Sequence, residues 1–117
     1  MPDRYELVIA RRFFKDLRKI DPHDQERILE ALREIDWARQ YVDDIFVPGD
    51  EFATGVFRTM IRTRLRQARE YVESDEYASA LERLYLAEHD ARDPSALGGE
   101  AIAEHCQEAI RIVRALR

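Results

Sequence analysis

The chain has 117 residues, of which 45% are hydrophobic and 37% charged, and its formal net charge is −5. The apolar share excludes an intrinsically disordered chain, and the charged share excludes a membrane-embedded one. With only 4 glycines and 4 prolines, turns are too scarce for an all-β sandwich, so long helices with short connections are expected. The single cysteine, Cys106, has no partner for an intrachain disulfide, which suits a reducing cytoplasm. No apolar run approaches the roughly 20 residues that span a bilayer. The opening residues lack the basic-then-apolar pattern of a secretory leader.

Five helical segments are expected in chain order. The first, over residues 4–20, begins with Asp3 and Glu6 in the spacing of a capping box. Leu7, Ala10, Phe13, Phe14, Leu17 and Ile20 follow at helical spacing. Residues 5–9 also admit a strand reading, because Val8 and Ile9 are β-formers. Asp21-Pro22 resets the chain, since Asp caps a helix and Pro suits its first position. The second helix, 22–42, carries Ile28, Leu29, Leu32, Ile35, Trp37, Ala38 and Val42. Residues 43–50, with Val47-Pro48-Gly49-Asp50, read as a turn. The third helix covers 50–72 with Asp50 as its cap, and the fourth starts from a cap at Ser74 or Asp75 and ends near Ala91. Asp93-Pro94 and Gly98-Gly99 break the chain before the fifth, 100–116, for which Asp93 is the expected cap and whose apolar face is Ile102, Cys106, Ala109, Ile110, Val113 and Leu116. The expected fold is therefore all-α: one helical domain over 1–117, a compact bundle of about five antiparallel helices.

Charge alternates along these segments. It is positive over 1–20, negative over 21–54, positive over 55–73 and negative over 74–117, the pattern of an antiparallel bundle with complementary surfaces. Arg58, Arg62, Arg66 and Arg69 fall in one stripe on the third helix. Such a stripe can bind phosphate, an RNA backbone or an acidic partner helix; alternatively it pairs with the acids of the second helix. Arg64 points elsewhere, among Phe57, Ile61, Ala68 and Tyr71. It is expected to be substantially buried and paired to a carboxylate of another helix, with Glu30, Glu34, Glu104 and Glu108 as candidates, because burying an unpaired guanidinium is costly.

Residues 65–94 resemble a single tetratricopeptide-like hairpin. Ala68, Tyr71, Tyr77, Ala80 and Ala87 stand where that repeat has small or aromatic residues, while Asp75 replaces the glycine of its turn. The same hairpin is similar to the helical pairs of HEPN domains, small all-α proteins that often act as RNases. In those an arginine and a histidine stand on one helix with four to six residues between them. Arg83 and His89, with five residues between them, have that form. The resemblance implies His89 as acid or base and Arg83 as phosphate clamp across a dimer. Residues 5–35 resemble the first strand and two helices of RelE-type toxins, whose remaining strands have no counterpart in the helical pattern that follows.

Metal and nucleotide signatures are missing. There is no Glu-x-x-His pair, Walker loop, Gly-x-Gly-x-x-Gly or Gly-x-Ser-x-Gly. His105-Cys106 is a conceivable ligand pair, but Cys106 belongs to the apolar stripe and reads as a small buried thiol. The expected function is a non-enzymatic helical protein-interaction module, an adaptor or regulatory subunit. It needs no metal or cofactor and binds a protein partner or itself. The surfaces named for it are the Arg58, Arg62, Arg66 and Arg69 stripe and the acidic stretch of Asp43, Asp44, Asp50 and Glu51. The alternative is an HEPN-like RNA-binding or RNA-cleaving protein of a toxin–antitoxin type, with the arginine stripe holding nucleic acid.

Overall fold

A computed structural model of the chain describes residues 22–44, 47–48, 51–94 and 96–116. These hold four helices: α1 (Pro22–Asp44), α2 (Glu51–Glu73), α3 (Tyr77–Ala91) and α4 (Gly99–Ala115). The all-α expectation stands. The expected count of about five becomes four among the described residues. The segment 4–20, its strand alternative at 5–9, and the caps Asp3, Asp21 and Asp50 lie outside them.

Each helix buries one stripe. In α1 it is Ile28, Ala31, Leu32, Ile35, Ala38 and Val42, three and four residues apart as a helix facing a core requires. Ile61, Leu65, Ala68 and Val72 do the same in α2, and Ala80, Leu81, Leu84, Ala87 and Ala91 in α3. The alanines let neighbouring helices approach, and the Leu and Ile side chains fill the space between, each contributing about 1.5–3 kcal/mol on burial. Among the described residues α4 buries the most, including Ile102, Ala103, Cys106, Ala109, Ile110 and Val113. No helix among the described residues is long and apolar enough to cross a membrane.

Helix α1 packs on α2 and α4, and α3 packs on the same two. The cross-helix contacts show every neighbouring pair to be antiparallel. Asp43 meets Arg62 and Asp36 meets Arg69, so the numbers fall along α1 as they rise along α2. Glu34 meets His105 and Arg27 reaches the Ala115 carbonyl, which sets α1 against α4 in the same way. The result is an up-and-down bundle in which consecutive helices are neighbours. Both connections at one end are tied together by a two-residue antiparallel ladder, Val47 opposite Leu97 and Pro48 opposite Ala96. This pairing falls in segments that read as turn and break, and two residues per strand are too few to leave a periodic signal.

The caps differ from expectation. The N-cap of α3 is Glu76, without a side-chain cap bond, rather than Ser74 or Asp75. Those two residues serve the preceding helix. Asp75 adopts φ 61°, the Glu76 amide donates to the Tyr71 carbonyl at 2.9 Å, and the Asp75 amide donates to Val72 at 3.2 Å. This is a Schellman ending with aspartate where glycine usually sits. The Tyr77 hydroxyl donates to the Asp75 carboxylate at 2.9 Å and so holds the left-handed residue in place. Asp75→Ala is expected to cost about 1 kcal/mol in urea melts, since alanine keeps the strain and loses that bond. Asp75→Gly is expected to stay within about 0.5 kcal/mol of the parent, because relief of the strain offsets the lost bond.

The N-cap of α4 is Gly98 at φ 82°, rather than Asp93. Next to it Gly99 is buried so closely that a Cβ there would stand 1.9 Å from the Ala91 carbonyl oxygen. Further along α4, Cys106 is the small core thiol that its apolar stripe implies, 1% exposed. Burial, with the Glu88 carboxylate adding to it, pushes its thiol up to about 12. Because the thiolate is the reactive species, native protein at pH 8 is expected to leave Cys106 untouched by a thiol-specific disulfide reagent. One equivalent should react once urea unfolds the chain.

Candidate functional site

The five arginines of α2 divide by the side of the helix they occupy. Arg62 and Arg69 lean on acidic α1. Arg62 donates from Nε and Nη2 to Asp43 Oδ1 at 3.0 and 2.6 Å, with both side chains about half exposed. Arg69 lies between Asp36, at 3.2 Å, and Glu73, at 3.3 Å. Asp36 also sits 3.9 Å from Arg39. Burial raises the Asp36 carboxyl despite both arginines. It raises Glu73 too, where Arg69 opposes it and the neighbouring Asp36 and Glu70 add to it. Arg58 is partly buried. Arg66 is exposed on the outer face and has no ion pair among the described residues. Of the acidic stretch, Asp43 is bound to Arg62 and Asp44 is exposed. Asp50 and the Glu51 side chain fall outside the described structure.

Arg64 faces the other way, toward α3. Its Nη1 donates to the Asp90 carboxylate and, at 3.2 Å, to the Leu86 carbonyl. The guanidinium is partly buried and paired across helices, as its angular position requires. The partner, however, belongs to α3 and not to the two helices first considered. The antiparallel α2–α3 hairpin places Leu86 and Asp90 directly beside Arg64, whereas Glu34 is engaged elsewhere.

Glu34 accepts a hydrogen bond from His105 Nδ1 at 2.6 Å. The imidazole stacks on Tyr41, centroid to centroid 5.3 Å, and meets Trp37 at 5.5 Å. Glu34, Trp37 and Tyr41 lie three and four residues apart on α1, so one side of that helix receives a single ring from α4. A carboxylate-oriented imidazole is the arrangement a general base uses, but here it fastens two helices together. His105 and Cys106 diverge, one to this aromatic shelf and one into the core. Among the described residues no group of three or more His, Cys, Asp or Glu converges as metal ligands would.

Arg83 and His89 are both on α3. Arg83 is partly buried and His89 exposed, and no hydrogen bond or ion pair joins them. Six positions turn a helix by about 240° from one to the other, so they occupy different sides. His89 shares the outward face with Ala78, Glu82, Tyr85 and Arg92, all exposed. Tyr85 is 47% exposed, and with Val56 and Leu97 it is one of three large apolar residues left open to solvent among the described residues. The sequence carries the signal for Tyr85. It falls between the buried positions Leu84 and Ala87 and off their stripe, but on a hairpin read as a packing motif it passes for a core aromatic.

The chain matches no protein-family model, no curated protein and no solved structure.

Proposed function

We propose that this helical bundle is a non-enzymatic protein-interaction module, an adaptor or regulatory subunit acting through the outer faces of α2 and α3. The observation that carries the reading is Tyr85. It is a large aromatic left 47% exposed at the centre of a helix whose opposite side is fully packed. Aromatic residues are the commonest anchors of protein interfaces. The arginine stripe of Arg58, Arg62, Arg66 and Arg69 supplies a charged surface on the neighbouring helix α2. Arg62 and Arg69 support the bundle by pairing with α1, and Arg66 is the member most available to an acidic partner. A photo-crosslinking residue placed at Tyr85 or at Arg66, in cells of the native source, is expected to trap a discrete protein species. That species should disappear with Tyr85→Glu or Arg66→Glu. Absence of any adduct at both positions overturns the reading.

A second reading draws on the exposure of His89 and on Arg66 and Arg83, neither of which has an ion pair among the described residues. It is an HEPN-like RNA-binding or RNA-cleaving protein of a toxin–antitoxin system. Its marks are RNA binding that falls steeply with salt, and growth arrest on overexpression that Arg83→Ala and His89→Ala each abolish.

A further inference from the structure

The outer face of α3 is complementary to its own reverse. Ala78, Glu82, Tyr85, His89 and Arg92 recur at alternating steps of four and three and are all exposed, forming one straight stripe. Among the described residues Glu82, Tyr85 and His89 have no hydrogen bond or ion pair. Arg92 reaches Glu88 on its own helix at 3.6 Å. At about 1.5 Å of rise per residue, Glu82 lies about 4.5 Å to one side of Tyr85 and His89 about 6 Å to the other. Ala78 and Arg92 lie about 10.5 Å away on opposite sides.

A second helix laid antiparallel across this one, with a two-fold axis at Tyr85, therefore sets like distances against each other. Glu82 of one copy meets His89 of the other, twice by symmetry. Ala78, with no side chain beyond Cβ, leaves room for the stem of Arg92 from the opposite copy. The two Tyr85 rings meet at the axis, where an offset aromatic pair is favourable. The chain as a whole is acidic at −5, which opposes self-association, yet this stripe carries one carboxylate and one guanidinium and is locally balanced. The geometry points to a homodimer: the outer face of α3 is an isologous interface whose occupant is the same face of a second copy of this chain. The inference rests on the interaction-module reading and names its partner.

One helix pair is a small contact, at the low end of interface sizes. Association is thus expected across about 10 µM to 1 mM rather than at nanomolar concentration. Sedimentation equilibrium of the full chain over that range should show a reversible monomer–dimer exchange. Tyr85→Arg should leave a monomer. Glu82→Lys and His89→Glu should each weaken the dimer by about tenfold, since every pair is lost twice. The combination of both should return it close to the parent, because the swapped charges again meet across the axis. Cys106 is buried, so introduced thiols report alone. Tyr85→Cys should form a disulfide dimer with itself. Ala78→Cys should cross-link when mixed with Arg92→Cys and not by itself. Circular dichroism of each variant confirms that the helices persist. A chain that stays monomeric to 1 mM, or a dimer indifferent to all of these changes, overturns the inference, as does a charge swap no better than its parts. A monomer that still cross-links to a different protein through Tyr85 overturns the homodimer alone and leaves the interaction module standing.

Discussion

Gly99→Ala is expected to destabilise the protein by about 3 kcal/mol, the upper end of the cost of overpacking a filled interior. The added Cβ would lie 1.9 Å from the Ala91 carbonyl oxygen. That oxygen belongs to the backbone at the end of α3 and cannot turn aside as a side chain does. Either the start of α4 or the end of α3 must retreat by more than an ångström, and both carry core residues, Ala91 and Ile102 among them. Alanine's better helix propensity, worth about 1 kcal/mol, does not offset this. The other helical and capping glycines supply the contrast. At Gly98, φ is 82°, so Gly98→Ala is expected to cost about 1 kcal/mol through backbone strain alone. At Gly55, inside α2, nothing lies within 4 Å of the Cβ position, and Gly55→Ala is expected to stabilise by about 0.5–1 kcal/mol. Urea melts of the three variants should therefore differ in sign as well as size. Equal effects at Gly98 and Gly99 would show that the α3–α4 junction has room.

The ends of the helices were harder to read than their faces, for a physical reason. Apolar residues at three- and four-residue spacing report burial directly, so the stripes from Ile28 to Val42 and from Ile102 to Val113 are visible without knowing what covers them. A cap depends on φ and ψ. Aspartate serves equally as an N-cap acceptor and as a residue tolerant of the left-handed region, so Asp75 could be assigned to the start of one helix when it completes another. Partners are harder still. Arg64 announces that it needs a carboxylate. Which one it finds depends on the pairing of helices, and only the short α2–α3 turn brings Asp90 opposite it. The same holds for Glu34, which carries a readable aromatic stripe with Trp37 and Tyr41 but whose ring, His105, arrives from α4, 71 residues away. The site is legible in the same uneven way. The arginine stripe was visible as a stripe, but its division into residues that brace α1 and an exposed Arg66 follows from which helix lies beside which.

That division makes Arg64 and Arg62 a controlled pair, one turn of reasoning apart on the same helix. Arg64→Ala is expected to destabilise by about 2–3 kcal/mol, somewhat below the cost of breaking a fully buried ion pair. The Arg64 and Asp90 side chains are 22% and 12% exposed, so water reaches the stranded carboxylate only in part. The Leu86 carbonyl loses its side-chain donor as well. Arg62→Ala removes a bond of 2.6 Å to Asp43, but both partners are about half exposed and solvent replaces the contact. Its expected cost is below about 0.5 kcal/mol. The mechanism is separable from mere loss of side-chain packing. If the penalty is the uncompensated Asp90 carboxylate, Asp90→Asn in the Arg64→Ala background should recover part of the stability, with a coupling of at least about 1 kcal/mol in the double-mutant cycle. Arg64→Lys should fall between parent and alanine, since an ammonium keeps a charge for Asp90 but is more strongly hydrated than a guanidinium and loses more on burial. Indistinguishable melts for Arg64→Ala and Arg62→Ala would place Arg64 on the outer face with Arg66. The α2 surface available to a partner would then carry one more positive charge than the ion pairs described here leave it.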